Sequence, residues 1–171
     1  MSEQATEFHV DTEVSRFTKA GALLVAWLAC YTIASVAQSQ FVLQNLTELG
    51  VVINGNQWLE HTILDWWGLL PKFGGAIFLS LTLALFISGR LGRWLKLRRN
   101  WLHAVGGALA MLLMLAIMHP LLNVTLIAGT RSLAGMCWQA IAGAVGGELY
   151  RILRQDLARW IIQRPKQNAL L

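Results

Sequence analysis

Four uncharged apolar runs alternate with charged stretches along this 171-residue chain. They cover residues 20–37, 73–89, 101–118 and 132–147, and the last continues as a predicted helix to about residue 150. A helix needs ~17 to 25 residues to cross ~30 Å of hydrocarbon, and each run is about that long. The pattern predicts an all-α membrane protein, a single integral membrane domain with four transmembrane helices. Residues 1–18 read as an acidic, polar tail that becomes helical near Asp11 or Thr12, and 38–72 as an outer cap in which Gly50 and Asn54-Gly55 mark turns.

Two stretches repeat apolar positions on one face only. Within 56–70, Leu59, Thr62, Ile63, Trp66 and Leu70 recur at helical spacing, with Gln57, Glu60, His61 and Asp65 around the other side. This predicts an amphipathic helix lying flat on the outer leaflet, ended by Pro71, with Lys72 reaching outward as the second span begins. From 148 to 164, Leu149, Leu153, Leu157, Trp160 and Ile161 oppose Arg151, Arg154 and Gln155, which predicts a basic cytoplasmic C-terminal helix. The connection from His119-Pro120 to Arg131 is apolar through 121–129 and is expected to pack into the outer leaflet or under the helix that starts at Asn56.

Charge fixes the orientation. Arg16 and Lys19 precede the first span, Arg90, Arg93, Lys96, Arg98 and Arg99 follow the second, and Arg151, Arg154, Arg159, Arg164 and Lys166 follow the fourth. The opposite connections hold only Lys72 and Arg131, beside Glu48, Glu60 and Asp65. The positive-inside rule then puts both termini in the cytoplasm. Trp66, Trp67, Trp94, Trp101 and Trp160 fall near span ends, where an indole keeps its ring in lipid and its N–H wet, while Trp27 falls inside the first span. A cleavable signal is the competing reading of the first run, with an apolar region at 21–33 and small residues at 35–37. Glu3, Glu7, Asp11 and Glu13 argue against it, because a signal peptide begins with a short positive region.

Composition agrees with lipid as the solvent: 56% of residues are hydrophobic and 13% charged, against ~25% charged in soluble domains. The net charge of +5 sits at the ends of apolar runs and therefore reads as anchoring to anionic headgroups rather than to nucleic acid. Cys30 and Cys137 lie singly inside runs and form no metal or redox motif.

Association in lipid depends on small residues that let backbones approach. Gly143 and Gly147 form a G-x-x-x-G pair beside Ala140 and Ala144; Ala76, Ser80, Ala84 and Ser88 repeat at every fourth position, as do Ala22, Ala26, Cys30 and Ala34. Gly106-Gly107 and Gly146-Gly147 read as close-packing positions. Packing within one bundle is the simpler reading of these stripes; a homo-oligomer or a membrane-protein partner on the Gly143 face is the other.

Chemistry is sparse. Tyr31 and Gln139 are the polar side chains nearest mid-span, and an interhelical hydrogen bond explains each more simply than substrate contact. His61 and Asp65 share a helix face, and Glu60, His119 and Arg131 are expected at similar depth, so His61, Asp65 and His119 are the candidate metal ligands and His61 with His119 the candidate haem or quinone contacts. No motif spacing supports them, so no cofactor is expected, with haem as the alternative. Asn45-Leu46-Thr47 and Asn123-Val124-Thr125 recur in the two outer connections and hint at a two-fold repeat.

The segments at 39–43 and 127–135, with the closing Ala142-Gly143-Ala144-Val145-Gly146-Gly147, resemble a group of small bacterial inner-membrane proteins. The resemblance implies a bacterial four-span protein of the inner membrane and carries no activity onto any residue. The expected role is therefore a structural or accessory subunit rather than an enzyme, with a transport or channel component and a haem- or quinone-associated protein as alternatives.

Overall fold

The computed structural model describes residues 2–52, 54–94, 101–122 and 133–168, with side chains over 18–52, 54–92, 94, 101–118 and 133–156. Among the described residues every regular element is helical: α1 (Ser2–Glu48), α2 (Gly55–Leu69), a π-helical turn (Leu70–Gly74), α3 (Gly75–Trp94), α4 (Leu102–Leu122) and α5 (Leu133–Asn168). The outer connection around Asn123 and Arg131 lies outside them.

The helices are longer than the apolar runs. Residues 2–48 contain no proline, and α1 passes through both the expected tail and the first third of the outer cap without a break. It ends where Gly50 takes a φ of +84°, a left-handed conformation that costs glycine little. There the Gly50 N–H donates to Thr47 O at 3.0 Å and the Val51 N–H to Leu46 O at 3.2 Å, the paired bonds of a Schellman stop. At the start of α2 the Asn54 N–H donates to Gln57 Oε1 at 2.9 Å, which satisfies a backbone donor at that end. Likewise α5 runs on through the expected C-terminal helix as one element.

Pro71 does not end a helix here. Its missing N–H is absorbed by the π-helical turn, and α2, the turn and α3 form one apolar helix over Gly55–Gly92. α2 packs along the C-terminal half of α1: Gln40 Nε2 donates to Thr62 Oγ1 at 3.4 Å, and Trp66 Nε1 to Thr32 Oγ1 at 3.3 Å. The expected single apolar face is also divided. Trp66, Leu69 and Leu70 pack toward the core, while Leu59 and Ile63 are exposed with Leu64 and Trp67.

Cross-helix pairs give the topology. Ala34 meets Gln139 and Cys30 meets Gly146 between α1 and α5; Gly107 meets Gly143 between α4 and α5; Ser80 meets Met114 and Ser88 meets Gly106 between α3 and α4. Each pair runs in opposite chain directions, so the helices alternate up and down. α5 lies between α1 and α4, and α3 covers the other side of α4. The glycines set the closest contacts. A Cβ on Gly107 would run into the Gly143 carbonyl, one on Gly147 into the His103 carbonyl, and one on Gly146 would come within 2.8 Å of Cys30 Cβ. The Gly143–Gly147 face is therefore covered by α4 within the chain.

Cys30, Tyr31 and Ala34 of α1, Ile77, Leu81 and Leu85 of α3, Met111, Met114 and Leu115 of α4 and Ala142 of α5 form one core with Phe73 of the π-turn. Much of the remaining apolar surface faces outward, including Leu79 at 72% exposure, Leu83, Phe86, Leu113 and Ile117. Thr18–Glu48 and Gly55–Gly92 are each long and apolar enough to cross a membrane; Leu102–Met118 is apolar but shorter.

Candidate functional site

The buried polar side chains gather mainly on one helix face. Tyr31, Ser35, Gln38 and Ser39 on α1 are all buried, with successive spacings of four, three and one residues that keep them on one side of the helix. α5 adds Gln139 at 1% exposure, and α2 adds Asp65 beside Ser39. The result is a polar seam in a bundle whose outside is apolar.

Where α2 meets the seam, Ser39 and Asp65 are paired. Ser39 Oγ donates to Asp65 Oδ2 at 2.9 Å and lies 3.2 Å from Ser35 O, and His61 Nδ1 stands 3.5 Å from the same carboxylate oxygen. The sequence reading placed Asp65 on the polar side of an exposed helix, whereas α1 draws it inward to Ser39. His61 stays exposed.

Elsewhere along the seam, acceptors outnumber donors. Gln139 Nε2 donates to Ala34 O at 3.0 Å, which fixes the direction of the amide and leaves Oε1 buried without a partner. Gln38 Oε1 is also buried and unpartnered, one helical turn beyond Ala34. Ser35 Oγ, on the same face of α1, is buried without a hydrogen-bond partner. Two amide oxygens and a hydroxyl left without partners in the bundle interior can each accept from water or from a small donor-bearing guest.

Below the seam, α1 grips the π-turn. The Tyr31 hydroxyl donates to Trp66 O, and Trp27 Nε1 donates to Gly74 O at 2.8 Å. Trp27 stacks on Tyr31 at 6.2 Å and meets Phe78 edge-on at 5.7 Å, while Tyr31 contacts Trp66 and Phe73. Two carbonyls that flank the π-turn thus accept hydrogen bonds from a neighbouring helix.

The structure brings only part of the sequence-based candidate set together. His61 and Asp65 are paired, Glu60 is exposed on the same helix, and the side chains of His119 and Arg131 lie outside the described residues. Among the described residues no three His, Cys, Asp or Glu side chains are grouped to hold a metal ion. Gly143 and Gly147 meet α4, and Ala76, Ser80 and Ala84 line a groove between α3 and α4. Cys30 is buried and Cys137 exposed, both as free thiols. The seam was missed as a unit, although the spacing of Tyr31, Ser35 and Gln38 in an apolar run was a readable signal. No protein-family model, curated protein or solved structure matches the chain.

Proposed function

We propose that the chain is a four-span protein of the bacterial inner membrane, both termini cytoplasmic, serving as a structural or accessory subunit. The observation that carries this is the distribution of polarity: Gln38, Gln139, Ser35 and Ser39 are buried while Leu79, Leu83, Phe86, Leu113 and Ile117 face outward. In water that arrangement would be strongly unfavourable, since apolar burial drives folding there; in hydrocarbon it is the expected one.

The accessory role is supported by the outer end. Thr18–Glu48, with 31 residues, is about 46 Å long, beyond the ~30 Å of hydrocarbon. On α2, Leu59, Ile63 and Trp67 recur every fourth residue and are all exposed, a stripe suited to a second apolar surface. The test is twofold. Reporter fusions at both ends should report the cytoplasm, and mild detergent extraction should recover a stoichiometric membrane partner that Ile63→Glu releases. Ends on opposite sides would overturn the topology; a chain recovered alone and unaffected by Ile63→Glu would overturn the accessory role.

The unpartnered oxygens of Gln38 and Gln139 favour a second reading, a transport component passing small donor-bearing solutes along the seam. Solute flux into vesicles holding the purified protein, lost in Gln139→Leu, would select it; no flux would leave the first reading.

A further inference from the structure

We infer that the groove between α3 and α4 is a binding site for an anionic phospholipid, with an acyl chain in the groove and the headgroup at Arg90. The inference rests on the membrane reading above. The groove holds about 600 Å³, within the ~300–1,000 Å³ of small-molecule sites. Ser80 and Ala84 of α3 and Gly106 and Ala110 of α4 form its floor, and the exposed side chains of Leu83 and Leu113 stand along its sides. It extends from Ala76 to Leu91, roughly 22 Å along α3, longer than the ~15 Å of one leaflet's hydrocarbon.

The floor offers nothing for a polar guest. Ser80 Oγ has Ile77 O at 3.1 Å and Met114 Sδ at 3.6 Å as acceptors, and Ser88 Oγ donates to Leu85 O at 3.2 Å, so both hydroxyl protons are already engaged. A groove of this polarity does not hold water, and in a bilayer an acyl chain is the flexible filler at hand.

Charge selects the lipid. Arg90 follows Leu83 by seven residues and Ile87 by three, so it continues the groove face of α3; it is exposed and has no carboxylate partner among the described residues. Trp94, three residues after Leu91, and Trp101, four before Val105, continue the two walls at the same end and are exposed, as indoles at a headgroup boundary are. Residues 90–99 contain five cations and no acidic residue. Cation and indoles stand together at one end of an apolar groove, as phosphate and glycerol region stand together at one end of a phospholipid's chains.

The test uses the full chain in mild detergent, incubated with phosphatidylglycerol or phosphatidylcholine carrying identical acyl chains, with bound lipid counted by native mass spectrometry. Phosphatidylglycerol should be retained roughly fivefold over phosphatidylcholine, the contribution of one cation near the surface. Arg90→Gln should reduce that preference severalfold while chain binding persists, and Ala84→Phe should reduce retention of both lipids. Equal retention by the unaltered chain overturns the inference, as does a dimer that excludes lipid. Should Ala84→Phe fail to fold, the headgroup comparison on the unaltered chain still decides. A protein monodisperse without detergent would instead overturn the membrane reading, which keeps the two failures distinct.

Discussion

The indole N–H of Trp27 donates to the carbonyl of Gly74 at 2.8 Å, across 47 residues of sequence. With the Tyr31 hydroxyl on Trp66 O, this bond brackets the π-turn from both ends, so a local irregularity caused by Pro71 is held by side chains of another helix. The two bonds tie α1 to the Gly55–Gly92 helix at the point where that helix is least regular.

Tyr31→Phe keeps the ring and removes the donor. It should cost about 0.5–1.5 kcal/mol, read as a lower unfolding midpoint in a detergent titration. Trp27→Phe should cost more, because it also reduces the contacts with Tyr31 and Phe78. The double variant should lose less than the two costs added, since both bonds support one turn. Strict additivity would show that the two act separately.

Glycines in this chain divide into two kinds, and Ala substitution separates them. Gly107→Ala drives a Cβ into the Gly143 carbonyl and should destabilise the bundle by more than about 2 kcal/mol, as should Gly143→Leu, where Met111 Cγ also stands within 2.6 Å of the Cβ position. Gly21→Ala, in a helical position with nothing within 4 Å, should stabilise by roughly 0.5–1 kcal/mol. Thermal unfolding in one detergent measures all three; a Gly107→Ala protein as stable as the parent would remove the α4–α5 contact.

Gln139→Leu removes one hydrogen bond and one unpartnered buried oxygen together. The two changes oppose each other, so stability should stay within about 1 kcal/mol of the parent. Asp65→Ala is expected to act differently, since it strips an acceptor from Ser39 and His61 and leaves the Ser39 hydroxyl with Ser35 O alone. Unfolding midpoints for the pair should place Asp65→Ala lower, by about 1–3 kcal/mol. A larger loss in Gln139→Leu would show that its oxygen has a partner.

The two thiols report the packing directly. Cys137 is exposed on the apolar side of α5 and Cys30 is buried against Gly146. In the folded protein a lipophilic maleimide should label Cys137 and leave Cys30 untouched, and a charged maleimide should label neither before denaturation. Mass spectrometry counts the adducts. Rapid labelling of Cys30 in the folded state would contradict the α1–α5 contact.

What could be read from the residues alone was whatever depended on neighbours three or four positions away. The apolar helices, the G-x-x-x-G face at Gly143 and the stop at Gly50 all have local signals of that kind. Pro71 was expected to end the helix because the rule for proline is local; the side chains that hold the chain on either side of the π-turn, Trp27 and Tyr31, are far away in sequence. Asp65 was misread for the same reason. Its place on the polar side of α2 is local, but its partner Ser39 is 26 residues distant, and no periodicity reveals which helix lies opposite. The half of the seam on α1 was legible as spacing; the half on α5 and α2 required the fold.

The π-turn holds one residue more than a regular α-helical turn, and that residue is taken up locally, so the helix beyond it keeps the phase of the helix before it. Deleting one residue within Leu70–Gly74 should therefore close the turn to a regular α-helix and leave Ile77 and Leu81 facing the centre. In a helix without such a turn, the same single-codon deletion would re-index every position after it. Length can change by one residue at this point of the chain at less cost than within α4 or α5.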